Sequence, residues 1–336
     1  MAEYDLLAIG NAIVDVISRG DDAFLERENI QKGGMTLIDA ARAEELYAAM
    51  GPGVETSGGS AGNTVAGFLS LGGSGAYFGK VADDQLGAIF THDIRSLGVT
   101  YRTRPLEGQP PTARCMVVVT PDGERSMSTY LGACVELGPE DIDEEIVKAA
   151  KVTYFEGYLW DPPRAKEAIV KAAGIAKANG RSMAMTLSDA FCVHRYRSEF
   201  LDLLRTGAVG IVFANESEAL ALYETEDFDA ACGKLAKDAS QLAVITRSEK
   251  GCVVLEGDRR IDVPTENVAE VVDTTGAGDL FAAGFLRGFT AGYDHETSAR
   301  LGNLAASHII RQIGPRPQTR LADLPPVAAL LGSARG

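Results

Sequence analysis

The chain has 336 residues, of which 46% are hydrophobic and 24% charged, and its 47 Asp and Glu against 32 Lys and Arg leave a formal net charge of −15. That is apolar material for one large core with an accessory piece, since single cores stop growing somewhat above ~250 residues. The acidic balance, without any run of Lys and Arg, excludes a non-specific nucleic-acid binder, which needs clustered cations to displace counterions from phosphates; an anionic substrate has to be met locally, by backbone amides or a few Arg and Lys.

Cys115, Cys134, Cys192, Cys232 and Cys252 are odd in number, widely spaced and free of any Cys-x-x-Cys. They read as buried thiols rather than a disulfide framework or a zinc site. His92, His194, His295 and His308 are scattered, with none at metal-ligand spacing. The start, MAEYDLLAIG, has no basic segment and no long apolar run of the secretory type. The weakly polar stretch 65–82 is broken by Gly67, Gly72, Gly73, Gly75 and Gly79, which argues against a membrane span. A cytoplasmic location without membrane or nucleic-acid partners is the expectation.

In chain order, DLLAIG (5–10) is the first short apolar run ending in Gly. VTYFEG (152–157), SMAMTL (182–187), GIVFAN (210–215), LAVITR (242–247) and GCVVLE (251–256) repeat the type. Continuous apolar runs of this length predict strands buried on both faces. Three- and four-residue apolar spacing predicts helices over 61–71, 83–97, 164–179, 216–223 and 228–240. The alternation from about residue 145 onward predicts an α/β fold: a central, mostly parallel sheet with helices on both sides. Two stretches break it. VDVIS and MTLID lie within 13–39, and PTARCMVVV and SMSTYL within 111–131 flank the turn Thr120-Pro121-Asp122-Gly123, where Pro presets φ and Gly accepts a positive one. These read as a small β-sheet lid able to close over a site, leaving 1–12, 40–110 and 132–336 as the large domain. The Pro-rich tail 314–326 reads as a strap.

Two glycine-rich elements carry chemistry. Asp273-Thr274-Thr275-Gly276-Ala277-Gly278-Asp279 runs into the helical pattern LFAAGFLRGF. Small residues entering a helix N-terminus make a ready anion site, because the first amides lack partners and the helix dipole is positive there. Gly276, Ala277 and Gly278 would form an anion hole, and Asp279 would accept a proton from an attacking hydroxyl; an ordinary N-cap Asp fits the same spacing. Gly58-Gly59-Ser60-Ala61-Gly62-Asn63 opens a second helix. Its two glycines allow close approach of a ligand, and Asn63 can both donate to and accept from a sugar hydroxyl; a helix-capping turn is the plainer alternative. No P-loop is present: near Gly79-Lys80, Ser74 stands where the first Gly belongs and Val81 where Ser or Thr belongs. The first strand leads into Gly10-Asn11-Ala12-Ile13-Val14-Asp15, not a dinucleotide fingerprint.

Taken together, GGSAGN at 58–63, DTTGAGD at 273–279 and NAIVDV at 11–16 resemble the ribokinase-like (pfkB) family of carbohydrate and nucleoside kinases. The resemblance implies the ribokinase-like fold with its β lid, and direct transfer of a phosphoryl group from ATP with Asp279 as base. It implies that Asn11, Asp15, Gly58, Gly59 and Asn63 grip ribose hydroxyls. Asn215-Glu216-Ser217-Glu218 matches the family's Asn-x-x-Glu motif, so Asn215 and Glu218 would organise nucleotide and Mg²⁺, Glu218 through water. Thr246 and Gly251 match the segment beside the ATP phosphates, and Asn303 falls where the family borders adenine. Asp273 and Thr275 are consistent with a K⁺ site, although the loop near Gly314 matches it poorly. PTARCMVVV, STYLGAC (128–134) and FGKVADDQLG (78–87) look most like the adenosine kinases of that family. The implied acceptor is therefore the primary hydroxyl of a ribose-containing small molecule, adenosine first. A sugar kinase for ribose or fructose is the second reading, and a non-catalytic ligand sensor a third of another class. Tyr158 and Trp160 are candidates to stack on a base, with core aromatics as the other reading of them. In assembly the resemblance allows a monomer or a homodimer formed through the lid.

Overall fold

The computed structural model describes residues 2–266 and 268–333. In chain order its elements are β1 (Tyr4–Ile9), β2 (Ile13–Arg19), α1 (Asp22–Arg27), β3 (Met35–Leu37), α2 (Ala40–Ala49), β4 (Gly53–Ser57), α3 (Ser60–Ser70), β5 (Gly75–Phe78), α4 (Gln85–Ser96), β6 (Thr100–Tyr101), β7 (Ala113–Val119) and β8 (Arg125–Tyr130). There follow α5 (Glu144–Ala149), β9 (Ala150–Glu156), α6 (Pro163–Ala178), β10 (Ser182–Thr186), α7 (Ala190–Arg205), β11 (Ile211–Asn215), α8 (Glu216–Tyr223), α9 (Phe228–Asp238), β12 (Leu242–Thr246), β13 (Cys252–Glu256), β14 (Arg259–Val263), α10 (Ala277–Ala291), α11 (His295–Ile309) and α12 (Pro325–Ser333).

The six apolar runs read from the sequence are β1, β9, β10, β11, β12 and β13. They form the body of a sheet ordered β14-β13-β12-β11-β10-β9-β1-β5-β6, parallel except where β13 and β14 join. Burial on both faces explains the unbroken runs: Leu6, Leu7, Ala8 and Ile9 are all fully buried. One face packs on α5 to α9 through residues such as Ile146, Ile169, Phe200, Leu222 and Leu235. The other packs on α3, α4, α10 and α11 through Phe68, Phe90, Phe281, Phe285 and Ala299. Helices α1, α2, α5, α7, α11 and α12 and strands β5, β6 and β14 go beyond those read from sequence.

Strand β1 pairs in parallel with β5 on one side and β9 on the other. From there the chain builds outward in opposite directions, to β6 and to β12. The order therefore reverses between β1 and β9, and in open α/β sheets ligands bind in the crevice at the carboxyl ends of such strands. Gly10, Asn11 and Glu156 lie at those ends.

A second sheet has the order β3-β8-β7-β2-β4. It joins the two stretches that break the alternation, through parallel pairing of β2 with β7. It also takes in β4, antiparallel to β2, while α2 sets Ala43 and Leu46 against Met116. The small layer thus extends to Ser57, past the boundary at residue 39 read from the sequence. Strand β4 is mostly exposed, with only Ser57 buried, so it carries little of the alternation that marks a strand.

Candidate active site

Glu156, at the end of β9, ties the switch point together. Its Oε1 accepts the amide of Asn11 at 2.9 Å and its Oε2 the amide of Ala61 at 2.8 Å. Burial pushes this carboxyl up to about 7, against the pull of those two amides. The end of β1 and the start of α3 are thereby held side by side. Gly59 caps α3 with φ 84°, and a Cβ there would collide with the carbonyl oxygen of Asn11. A Cβ on Gly58 would run into the carboxylate of Asp15. The two adjacent glycines are therefore dictated by backbone approach as well as by access for a ligand.

Helix α10 starts directly opposite. Gly276 is its N-cap at φ 78°. Asp279, in the first turn, accepts the hydroxyl of Ser60 at 2.6 Å and the amide nitrogen of Asn63 at 3.1 Å. Burial pushes Asp279 up to about 6, while Ser60, Asn63 and the nearby Arg316 guanidinium oppose the rise. Asp15, on β2 of the small sheet, is pushed up to about 6 for the same reason, with Arg125 and Arg316 opposing. The helix dipole alone argues for an easily ionised Asp279; desolvation outweighs it, and the group still ionises below neutral pH. Of the three residues read as the anion hole, Ala277 turns its amide back onto Thr274 O at 3.2 Å, which leaves Gly276 and Gly278 less committed.

Asn11, Asp15, Gly58, Gly59, Asn63 and Asp279 thus converge on one crevice between the sheets. Asn11 is 4% exposed, and its Oδ1 has no hydrogen-bond partner among the described residues. A buried acceptor without a donor is costly, and a substrate hydroxyl would satisfy it.

On the other side of Asp279 the crevice opens into a cleft of about 340 Å³ whose walls include Thr186, Ser188, Asn215, Glu218, Thr246, Ser248 and Gly278. It continues into one of about 500 Å³ walled by Thr246, Gly251, Val268, Val271, Phe281, Asn303 and Ile310. Ser188 (φ 73°) and Ser248 (φ 50°) hold left-handed backbone in the wall of the first cleft. Asn215 and Glu218 form a capping box at the start of α8. Glu218 Oε2 accepts the Asn215 amide at 2.9 Å, and Asn215 Oδ1 accepts the Glu218 amide at 2.8 Å. Burial pushes Glu218 up to about 7. Asn303 donates through Nδ2 to Pro264 O at 3.1 Å, so its amide braces the cleft wall.

Among the described residues no group of three His, Cys, Asp or Glu forms a metal cage. The oxygen donors around Glu218 suit a Mg²⁺ ion that keeps its waters and is gripped mainly by phosphate. At the candidate K⁺ site the Asp273 carboxylate already has partners. Asp273 Oδ2 is ion-paired with Arg125 Nη1 at 2.7 Å, the two side chains 5% and 8% exposed, and also accepts the Gly314 amide at 2.9 Å. Its Oδ1 accepts the Thr275 amide at 2.9 Å. A guanidinium from the small sheet already neutralises the carboxylate that would attract the ion.

Trp160 is not a stacking platform. It is 3% exposed, packs on Phe155 and Phe200, and donates Nε1 to Glu199 at 2.9 Å. Tyr158 is turned toward Ser188, its hydroxyl donating to the carbonyl there at 3.4 Å. Sequence reasoning missed Ser60, Glu156, Arg125 and Arg316. Ser60 sits inside the GGSAGN motif and was within reach; the other three have no local signature.

A crevice at a sheet's switch point, with a carboxylate at a helix N-terminus between two clefts, defines an enzyme that moves a group between two ligands held on either side. Residues 28–320 match the family described as pfkB family carbohydrate kinase. The crystal structure of adenosine kinase from Sinorhizobium meliloti is 64% identical, covers 99% of this chain and 100% of that one, and superposes with a TM-score of 0.92. A probable sugar kinase protein from Rhizobium etli CFN 42 is 61% identical over 98% of this chain and 100% of that one, with a TM-score of 0.93. The adenosine kinase of Saccharomyces cerevisiae is 28% identical over 332 residues, 92% of this chain and 96% of the relative. The chain belongs to the pfkB family of carbohydrate kinases, and it is a kinase. Kinases of this family generally use ATP and Mg²⁺. Among the described residues no helix is long and apolar enough to cross a membrane.

Proposed function

We propose that the chain transfers the γ-phosphoryl group of ATP to a primary hydroxyl of a ribose-containing small molecule, with adenosine as the acceptor. The observation that carries this reading is Asp279 held by Ser60 and Asn63 between the Asn11–Asp15 crevice and the cleft that runs to Asn303. The 64% identity to a relative named adenosine kinase, over nearly the whole of both chains, supports the acceptor.

In this mechanism Asn11, Asp15 and Asn63 orient the ribose against the backbone of Gly58 and Gly59. Asp279, ionised above about pH 6, takes the proton of the hydroxyl as that oxygen bonds to the γ-phosphorus and the bond to the bridging oxygen of ADP breaks. The amides of Gly276 at the N-cap and Gly278 in the first turn, with the dipole of α10, stabilise the charge on the transferred group. Thr246 and Gly251 would border the phosphates and Asn303 the adenine of ATP. Bound Mg²⁺ would supply further charge neutralisation, and Asn215 and Glu218 would hold it through water. Potassium has no part in this reading, because Arg125 already meets Asp273. A cytoplasmic setting accords with five buried, unpaired thiols.

An assay of ADP release over adenosine, other nucleosides, ribose and fructose tests the reading, and adenosine is expected to give the highest kcat/KM. Turnover confined to free sugars would favour the second reading, a sugar kinase, which the 61% identical probable sugar kinase supports. No turnover on any of them would leave a ligand sensor.

A further inference from the structure

One half-buried cation at the site has no role in the mechanism above. Arg316 lies on the Pro-rich strap after α11, between Pro315 and Pro317. Its guanidinium enters the junction of β4 and α3 and makes three contacts there. Nη1 donates to Ser57 Oγ, Nη2 donates to Gly58 O at 3.3 Å, and Nε donates to Asn63 Oδ1 at 3.2 Å. The rest of the strap is fastened to the other half of the site. Gly314 donates its amide to Asp273 Oδ2 at 2.9 Å, and a Cβ added to Gly276 would come within 2.7 Å of Pro315. Gln312 Nε2 closes the strap by donating to Arg316 O at 2.8 Å.

The contact to Asn63 has a particular consequence. A side-chain amide can point either way round, and its partners decide which. With Oδ1 accepting from Arg316, Nδ2 is the end that faces Asp279, and it donates there at 3.1 Å. Without Arg316 nothing fixes that sense, and the flipped amide would set its oxygen against a carboxylate. We propose that Arg316 is a positioning residue for the transfer: it clamps the acceptor loop at 57–63 to the anion loop at 273–279, and through Asn63 it orients Asp279.

Its charge acts in the same direction. The groups facing Asp279 are Ser60 and Asn63 from α3, Arg316 from the strap, Asp15 from β2, and Tyr154 and Glu156 from β9. Asp93 on α4 holds Ser57, accepting its hydroxyl at 3.1 Å. Arg316 is the cation set among Asp15, Asp93 and Asp279, while Arg125 acts on Asp15. Arg316 thus favours the ionised form of Asp279.

This inference rests on Asp279 being the base, and its test uses whichever acceptor the ADP-release assay identifies. In Arg316→Gln the acid limb of the kcat/KM profile is expected to move up by roughly half to one pH unit. Its kcat/KM at pH 7.5 is expected to fall on the order of 100-fold, with the KM for ATP within about twofold of wild type. Arg316→Lys keeps the charge but not the fork, so its acid limb should stay in place while kcat/KM falls about tenfold. An unmoved acid limb in the Gln variant, or wild-type kcat/KM in the Lys variant, overturns the proposal. Should the Gln variant fail to fold, the Lys variant decides alone. Hydrogen exchange separates this failure from that of the functional reading: amides 58–63 should exchange faster in either variant than in wild type, whatever the acceptor, and unchanged exchange rejects the clamp.

Discussion

Asp279 is held by two hydrogen bonds from α3, and both its chemistry and its cost are local. Removing the proton acceptor in Asp279→Asn should lower kcat on the order of a thousandfold or more, with ATP affinity by calorimetry within about threefold of wild type. Activity retained to within about tenfold would reject Asp279 as the base. The same variant carries a stability signature. Because the folded-state value is raised from 3.8 to about 6, the stability contributed by the protonated form is complete at low pH and lost as pH rises through 6. Asn is neutral throughout, so Asp279→Asn should melt above wild type at pH 8, by an amount worth up to about 3 kcal/mol less the altered Asn63 bond. The difference should vanish near pH 4. Asn11, with its unpartnered Oδ1, belongs to acceptor binding. Asn11→Ala should raise the acceptor KM about tenfold and leave the KM for ATP unchanged in initial-rate assays.

At the scale of elements, the site is a joint between two helix starts and a small sheet. The α3 start tolerates only Gly at its cap, where φ is 84° and the Asn11 carbonyl stands in the way. Gly59→Ala should lower the melting temperature by several degrees and cost much of the acceptor affinity, since neither the strain nor the collision can be relieved without moving β1 away from α3. The small sheet reaches the anion loop through Arg125 and Asp273. A cation beside a carboxylate already neutralised gains little. Initial rates should therefore be the same, within about twofold, in KCl and in choline chloride at equal ionic strength; a several-fold activation by K⁺ would restore the site at Asp273 and Thr275. The reading of the elements from sequence found six strands that are buried on both sides, but missed β5, a buried strand of only four residues, and β4, whose residues are too exposed to carry a pattern.

Across the whole molecule, the crevice gathers carboxyls that the fold withdraws from water, raising Asp15 and Asp279 to about 6 and Glu156 and Glu218 to about 7. Each binds a proton in the folded chain at a pH where the unfolded chain has released it, so the ligand-free protein should lose stability as pH rises from about 5 to about 8. His308, lowered by burial and by Arg311, works the other way, since the unfolded chain then binds the extra proton. Four groups outweigh one, and thermal melts across that range should fall. A rising curve would show that the crevice carboxyls are better solvated than their burial implies.

The sequence alone was enough for six of the buried strands and the two glycine-rich helix starts, because burial on both faces leaves continuous apolar runs and close backbone approach leaves glycine. It also pointed to Asp279, through its place at a helix N-terminus. Only the tertiary structure decided which distant side chains meet there. Glu156, Arg125 and Arg316 serve the site from separate parts of the chain, and a lone Glu or Arg looks the same in sequence whether it ends in solvent or in the crevice. Core packing likewise took Trp160 out of the site, and Arg125 came to pair with Asp273 from the small sheet. These are outcomes of burial and charge pairing across the fold, which no local spacing encodes.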